Sequence, residues 1–201
     1  MKNDLCIIIQ GPSENINQIK KTWHQNQKII FSTWIGEENK YTNDDEVIFN
    51  EKPINNGVKN LFYQQITTIN GLKKAKNQGY KKAIKIRSDM ICTNPNIFIE
   101  LFTNEINFFY WHDYNGGYLV DYFMGGNIEK LIELWSINEQ KEYTFPEEAL
   151  TDNFKEKQLF KSDYKFIGKQ INIENDIYWL KYNKKLSSYS EDCSFLDYMK
   201  F

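Results

Sequence analysis

The sequence predicts a single-domain α/β fold, a mostly parallel sheet flanked by helices across residues 1–201. Three observations carry this. Short apolar runs rich in β-branched residues alternate with segments of helical periodicity, the pattern of βαβ units. The first run, Leu5 to Ile9, is apolar throughout, as a strand buried on both faces must be. The 201 residues, 41% hydrophobic and 16% aromatic, suffice for one sizeable core.

The first strand closes at Gln10-Gly11-Pro12, a turn signal. Residues 15–27 predict a weak helix, 28–34 a second strand ending before Ile35-Gly36, and 46–50 a third before Pro53. From Val58 to Ala75 apolar residues recur at spacings of three and four, marking a long amphipathic helix. Its other face carries no charge between Asn60 and Leu72, only a stripe of Asn60, Gln64, Thr67 and Thr68. Such a stripe either lines a ligand pocket or is buried with its polar atoms satisfied internally.

Residues 82–89 predict the fourth strand, ending in Arg87-Ser88-Asp89. Alternation places Lys85, Arg87 and Asp89 on one face. Two cations on a central strand need partners, and Asp121 is a candidate. A strand-like run follows at 106–111, and Gly116-Gly117 marks a turn before the apolar stretch 118–124. Gly125-Gly126 then precedes a helix at 128–135, with Asn127 as its N-cap; a simple turn is the plainer role of the glycine pair. A further helix spans 146–157, where Thr144 and Glu147 have capping-box spacing. The aromatic residues Tyr164, Phe166, Tyr178, Trp179, Tyr182, Tyr189 and Tyr198 fit either core packing or stacking on sugars, and residues 183–201 thin into a loosely packed tail.

A net charge of -2, from 25 basic and 27 acidic residues, argues against nucleic-acid binding. Cys6, Cys92 and Cys193 are odd in number and lack a Cys-x-x-Cys pair, so neither a disulfide framework nor a zinc site is expected and a reducing cytoplasm fits. Two histidines, His24 and His112, are too few for a histidine-rich metal site, and His112, which with Asp113 follows a strand, reads as an ordinary loop or core residue. No stretch approaches the ~20 apolar residues of a membrane span.

In open α/β sheets ligands gather where strands end, and Asp89 is delivered to such an end beside Arg87. The carboxylate could hold a divalent cation bridging two phosphates, or the arginine could bind phosphate directly; a plain salt bridge between them is the ordinary alternative.

These pieces together resemble the WavE-like lipopolysaccharide-synthesis family. The resemblance runs through Ile8-Ile9-Gln10-Gly11-Pro12, Ile30-Phe31-Ser32-Thr33-Trp34 with Gly36, Asn60-x-x-x-Gln64, Gly71-Leu72, Ile86-Arg87-Ser88-Asp89-Met90, Asp121-Tyr122-Phe123-Met124-Gly125 and Pro146-Glu147-Glu148, in that order. It implies a GT-A-like, Rossmann-related fold and a cytoplasmic glycosyltransferase. The enzyme would move sugar from a nucleotide-diphosphate donor to a lipopolysaccharide- or capsule-type glycan. A lipid-linked acceptor would bring peripheral contact with the inner membrane. Gln10, Gly11, Pro12, Thr33, Trp34, Asn60, Gln64 and Arg87 would border the donor. Asp89 would stand in the family's Asp-x-Asp position as ligand of Mn²⁺ or Mg²⁺, although residue 87 is Arg where that motif has Asp. Asp121, Glu147 and Glu148 are the candidates for the base that takes the acceptor's proton. A non-catalytic sugar-nucleotide or glycan-binding module is the alternative; a sugar nucleotidyltransferase would need a glycine-rich basic loop where Gly11-Pro12-Ser13-Glu14 stands.

Overall fold

Strand β1, Leu5–Gln10, lies at the centre of the molecule because neither of its faces offers water a polar side chain before Gln10. The computed structural model describes residues 4–23, 27–92, 99, 105–113, 116–166, 177–179 and 184–185. On either side of β1 run β2 (Lys28–Trp34) and β4 (Lys82–Arg87), both parallel to it, and β3 (Val47–Asn50) extends the sheet beyond β2. The remaining strands are β5 (Met90–Cys92), β6 (Ile106–Asp113), β7 (Gly116–Asn127), β8 (Tyr164–Phe166), β9 (Ile177–Trp179) and β10 (Lys184–Lys185). The seven-stranded sheet has the order β3-β2-β1-β4-β7-β6-β8, and β10-β9-β5 form a small antiparallel sheet.

Six of the seven strands run the same way and β7 alone is reversed, since it pairs antiparallel with both β4 and β6 while β8 is parallel to β6. The expected α/β architecture is thus what forms. Helix α1 (Ile16–Trp23) covers one face, where Ile7, Ile9, Ile84, Ile86, Phe109 and Phe123 make the core. Helices α2 (Leu61–Asn77), α3 (Ile128–Trp135) and α4 (Pro146–Glu156) cover the other, over Ile8, Ile30, Phe108 and Met124. Among the described residues no helix is long and apolar enough to cross a membrane.

Several elements differ from expectation for identifiable reasons. The long helix begins three residues late, because Lys59 and Asn60 take left-handed backbone angles (φ 46° and 65°) and form a separate 3₁₀ turn with Val58. Strand β4 stops at Arg87, so Asp89 sits in a turn rather than on the strand face. Gly125-Gly126 opens no turn; both residues lie inside β7, and a Cβ on Gly126 would meet the Glu105 carbonyl oxygen at 2.1 Å. Asn127 does cap α3, its Oδ1 accepting from the N–H groups of Glu129 and Lys130 at 2.9 and 3.3 Å. Lys184 and Lys185, at the start of the expected tail, form β10. The rest of 183–201 and the side chains of Phe166, Tyr178, Trp179, Tyr182, Tyr189, Tyr198 and His112 lie outside the described residues.

Helix α2 lies close on the sheet at Gly71, where an added Cβ would come within 2.5 Å of Ile8 Cγ2. Gly71→Ala therefore sets a helix-propensity gain of about 1 kcal/mol against overpacking that costs about 1–3 kcal/mol. A net loss of about 1 kcal/mol in urea unfolding is expected, and a net gain would show that the helix moves outward freely.

Candidate functional site

The strand order 3-2-1-4 reverses direction between β1 and β4, which leaves a crevice at their carboxyl ends. A cavity of about 330 Å³ opens there. Its floor comes from the strand ends: Gln10, Gly11 and Pro12 after β1, Trp34 on β2, and Arg87, Ser88 and Asp89 after β4. Its opposite wall is the start of α2, with Lys59, Asn60, Tyr63 and Gln64. Glu14 and Asn15 close the rim.

Local chemistry explains how the floor is built. The Gly11 N–H donates to the Ser32 carbonyl at 3.1 Å and the Ser88 N–H to the Gln10 carbonyl at 2.9 Å, carrying the sheet pairing past the strand ends. At φ 116° Gly11 is in a backbone region that side chains avoid, and a Cβ there would sit 2.8 Å from Ser88 Oγ. Gln10 is buried, its Oε1 accepting from the Thr67 hydroxyl at 2.8 Å. The Trp34 and Tyr63 rings lie 5.0 Å apart, tilted by 58°, and Lys52 Nζ approaches Trp34 at 5.7 Å.

The uncharged stripe of α2 is therefore two things. Asn60 and Gln64 face the cavity, and Gln64 Oε1 is buried with no hydrogen-bond partner. Thr67 and Thr68 are buried against the sheet. Trp34 is both core and cavity wall, being 4% exposed.

Thr33 is the one expected donor-bordering residue that does not line the cavity. Alternation turns it to the opposite face from Trp34, where its hydroxyl is 3.0 Å from Ser13 Oγ and donates to Glu37 Oε2. Ser13 also donates to Glu37 through Oγ at 2.7 Å and through its N–H at 3.1 Å. This cluster ties the loop after β1 to the loop after β2.

Behind the floor lies a buried charge cluster. Arg87 Nε donates to Asp89 Oδ1 at 2.9 Å and Nη2 to Asp89 Oδ2 at 2.7 Å, while Nη1 is 3.5 Å from Asp121 Oδ2. Burial opposes the guanidinium's charge, but Asp121 and Asp89 more than offset it and hold its proton above the usual range. Lys85 is wholly buried; its Nζ donates to the Asp121 carbonyl and sits 4.4 Å above the Trp135 ring. Burial pushes this ammonium down to about 7 against the opposing pull of Asp121. Asp121 itself is 2% exposed, and its Oδ1 has no hydrogen-bond partner.

Helix α4 brings Glu147 to this cluster. The Thr151 hydroxyl accepts from the Leu119 N–H at 2.8 Å and donates to the Glu147 carbonyl at 2.7 Å, which fixes the first turn of α4 against β7 two residues before Asp121. Burial and then the Asp121 charge raise the Glu147 carboxyl to about 7. The expected capping role belongs to its neighbour: Glu148 Oε2 accepts from the Thr144 N–H at 2.6 Å, and Thr144 makes no side-chain cap with Glu147. Glu148 thus closes the start of α4, while the charge of the enclosed Asp121 acts on Glu147. Lys59 Nζ, 5.9 Å from the Phe145 ring, joins the start of α4 to the cavity wall.

The metal expected at Asp89 does not fit this donor set. Both Asp89 oxygens are engaged by one guanidinium, and among the described residues no three His, Cys, Asp or Glu side chains gather as a metal site. Lys59, Tyr63, Glu14, Asn15 and Ser88 were not foreseen as lining residues; the left-handed turn that presents Lys59 leaves no mark in hydrophobic periodicity.

No protein-family model and no curated protein matches the chain. Among solved structures it is similar to a protein from Desulfovibrio desulfuricans G20 provisionally described as a nucleotide-diphospho-sugar transferase, with 9% identity over 81% of this chain and 78% of that one and a TM-score of 0.47. It is also similar to HddC from Yersinia pseudotuberculosis, with 12% identity over 81% of this chain and 88% of that one and a TM-score of 0.47. Neither likeness shows the WavE-like family.

Glu147 binds its proton more tightly in the folded chain, at about 7 against an ordinary 4.5. Between those values the folded state holds more proton than the unfolded one, so this residue's contribution to stability falls as pH rises through that window. Relative to wild type, Glu147→Gln should gain about 1–3 kcal/mol in urea unfolding between about pH 5 and about pH 8. A difference that does not change with pH would remove Glu147 from the buried carboxyl pair.

Proposed function

We propose that the chain is a glycosyltransferase that binds a nucleotide-diphosphate sugar in the strand-end cavity and passes the sugar to a hydroxyl of a lipopolysaccharide- or capsule-type glycan. The observation that carries this reading is the junction of two unlike surfaces in one place. A largely uncharged wall of Gln10, Trp34, Asn60, Tyr63 and Gln64 suits a nucleoside and sugar, whose recognition needs ring stacking and hydrogen bonds. Immediately behind it stands a carboxyl pair with one member raised to about 7.

In that role Trp34 and Tyr63 offer ring faces to the base, and the orphaned Gln64 Oε1 accepts from a ligand hydroxyl or N–H. Lys59 and the N-terminal turn of α2 face the diphosphate, where a cation and the helix dipole offset negative charge. Glu147 takes the acceptor's proton. As the acceptor O–H bond breaks towards Glu147, the acceptor oxygen bonds the anomeric carbon and the carbon–phosphate-oxygen bond breaks. The electron pair departs on the diphosphate. Burial, and after it the Asp121 charge, raises the Glu147 carboxyl to about 7, which suits a base around that pH and an acid once loaded.

Thermal-shift titration with UDP, GDP, CDP and CMP tests the binding half. One diphosphate is expected to raise Tm, with Gln64→Ala and Trp34→Ala weakening its affinity about tenfold, or about 1.4 kcal/mol. No shift with any nucleotide would overturn the reading. With the donor identified, Glu147→Gln should leave nucleotide affinity unchanged and lower kcat by about 10²–10⁴. The wild-type rate should rise with pH to a plateau above about 7.

A further inference from the structure

We propose that Arg87 is the resident cation of this site, that Asp89 positions it, and that the nucleotide diphosphate binds without a divalent metal ion. The inference rests on the nucleotide reading of the cavity and concerns what balances charge there.

Among the described residues Asp89 is the one carboxylate at the cavity floor, and Arg87 holds both of its oxygens in a fork at 2.9 and 2.7 Å. Paired planar contacts of this kind fix the guanidinium in orientation as well as distance. The same guanidinium reaches Asp121 at 3.5 Å, so one arginine spans two carboxylates, one at the cavity and one enclosed behind it. A divalent ion coordinated by Asp89 would stand next to this guanidinium, cation against cation, in a partly desolvated place. Displacing Arg87 to make room would strip Asp121, which is 2% exposed and already has one oxygen without a partner, of its counter-charge. The enclosed Lys85 cannot take over, because its Nζ is committed to the Asp121 carbonyl and the Trp135 ring. The carboxylate count also runs against a metal: among the described residues the acids that line the cavity are Asp89 and, on the rim, Glu14.

Two measurements on the full chain test this. The first is titration with Mn²⁺ alone, followed by the EPR signal of the free aquo ion. Wild type and Asp89→Asn are expected to give the same curve; stoichiometric uptake by wild type that Asp89→Asn abolishes would overturn the proposal. The second is nucleoside-diphosphate affinity in EDTA and in Mn²⁺. Equal affinities within about threefold support the proposal, and a gain of about tenfold or more with Mn²⁺ overturns it. Arg87→Lys keeps one charge but loses the fork, and should weaken affinity in EDTA about as much as Asp89→Asn does. A far smaller effect for Asp89→Asn would overturn its positioning role. Loss of all nucleotide binding in both media would overturn the donor reading instead, with the Mn²⁺ titration still deciding the metal question.

Discussion

Two cations at alternate positions of one central strand are the constraint around which this half of the molecule is organised. Lys85 and Arg87 project from β4 to the same face, Lys85 wholly buried and Arg87 reaching water only at the cavity. Each needs an opposite charge or a polar surface close by. The reversed strand β7 supplies both, the Asp121 carbonyl to Lys85 and the Asp121 carboxylate to Arg87, and α3 adds the Trp135 ring. Removing one partner from such a set typically costs about 3–5 kcal/mol, because a charge remains buried without compensation. The placement of β7 beside β4, and of α3 and α4 over β7, is therefore bound to the electrostatics of the site as much as to the apolar core.

The cavity wall works by a different principle. Helix α2 approaches the sheet closely because residue 71 has no side chain, which brings Thr67 onto Gln10 and leaves Gln64 and Asn60 at the crevice. The chain enters that helix through two left-handed residues, Lys59 and Asn60, neither of them glycine. Such angles are unfavourable for ordinary side chains and persist only where the surroundings enforce them. Here they end with Lys59 on the cavity and Asn60 Oδ1 accepting from Asn56 Nδ2 at 2.9 Å. Backbone strain, helix start and cation thus coincide at one point of the wall.

Much of this was legible in the sequence. Continuous apolar runs gave β1 and β2, the Ala83, Ile84 and Ile86 pattern gave β4, and the missing charge along 60–72 marked a helix that meets both core and cavity. Arg87 and Asp89 marked where β4 meets the site, although the strand stops two residues earlier than its pattern suggests. Strand direction was less accessible, because the pattern of a buried strand is the same read either way, and so β7 emerged only with its partners. Thr33 shows a different failure, a residue assigned to a rim by its neighbour Trp34 although period two must separate them. The bond to the Thr144 N–H fell to Glu148 rather than Glu147 because capping-box spacing is a local signal, whereas the Thr151 bridge between Leu119 and Glu147 joins segments that are distant in sequence. The αL turn at Lys59 has no compositional marker, since the glycine that usually betrays such a turn is absent.

The cluster has one more property that follows from its composition. Glu147 and Lys85 are drawn towards neutrality from opposite sides, both by burial and both to about 7, while Arg87 keeps its charge. Neutral Lys85 with neutral Glu147 and charged Lys85 with charged Glu147 carry the same total charge. Low dielectric surroundings penalise a change in net charge far more than a rearrangement of charge inside a balanced group. Asp121 lies between these two groups, its carbonyl on Lys85 and its carboxylate acting on Glu147. Such a balance is the setting of Glu147, the carboxyl proposed above as the base.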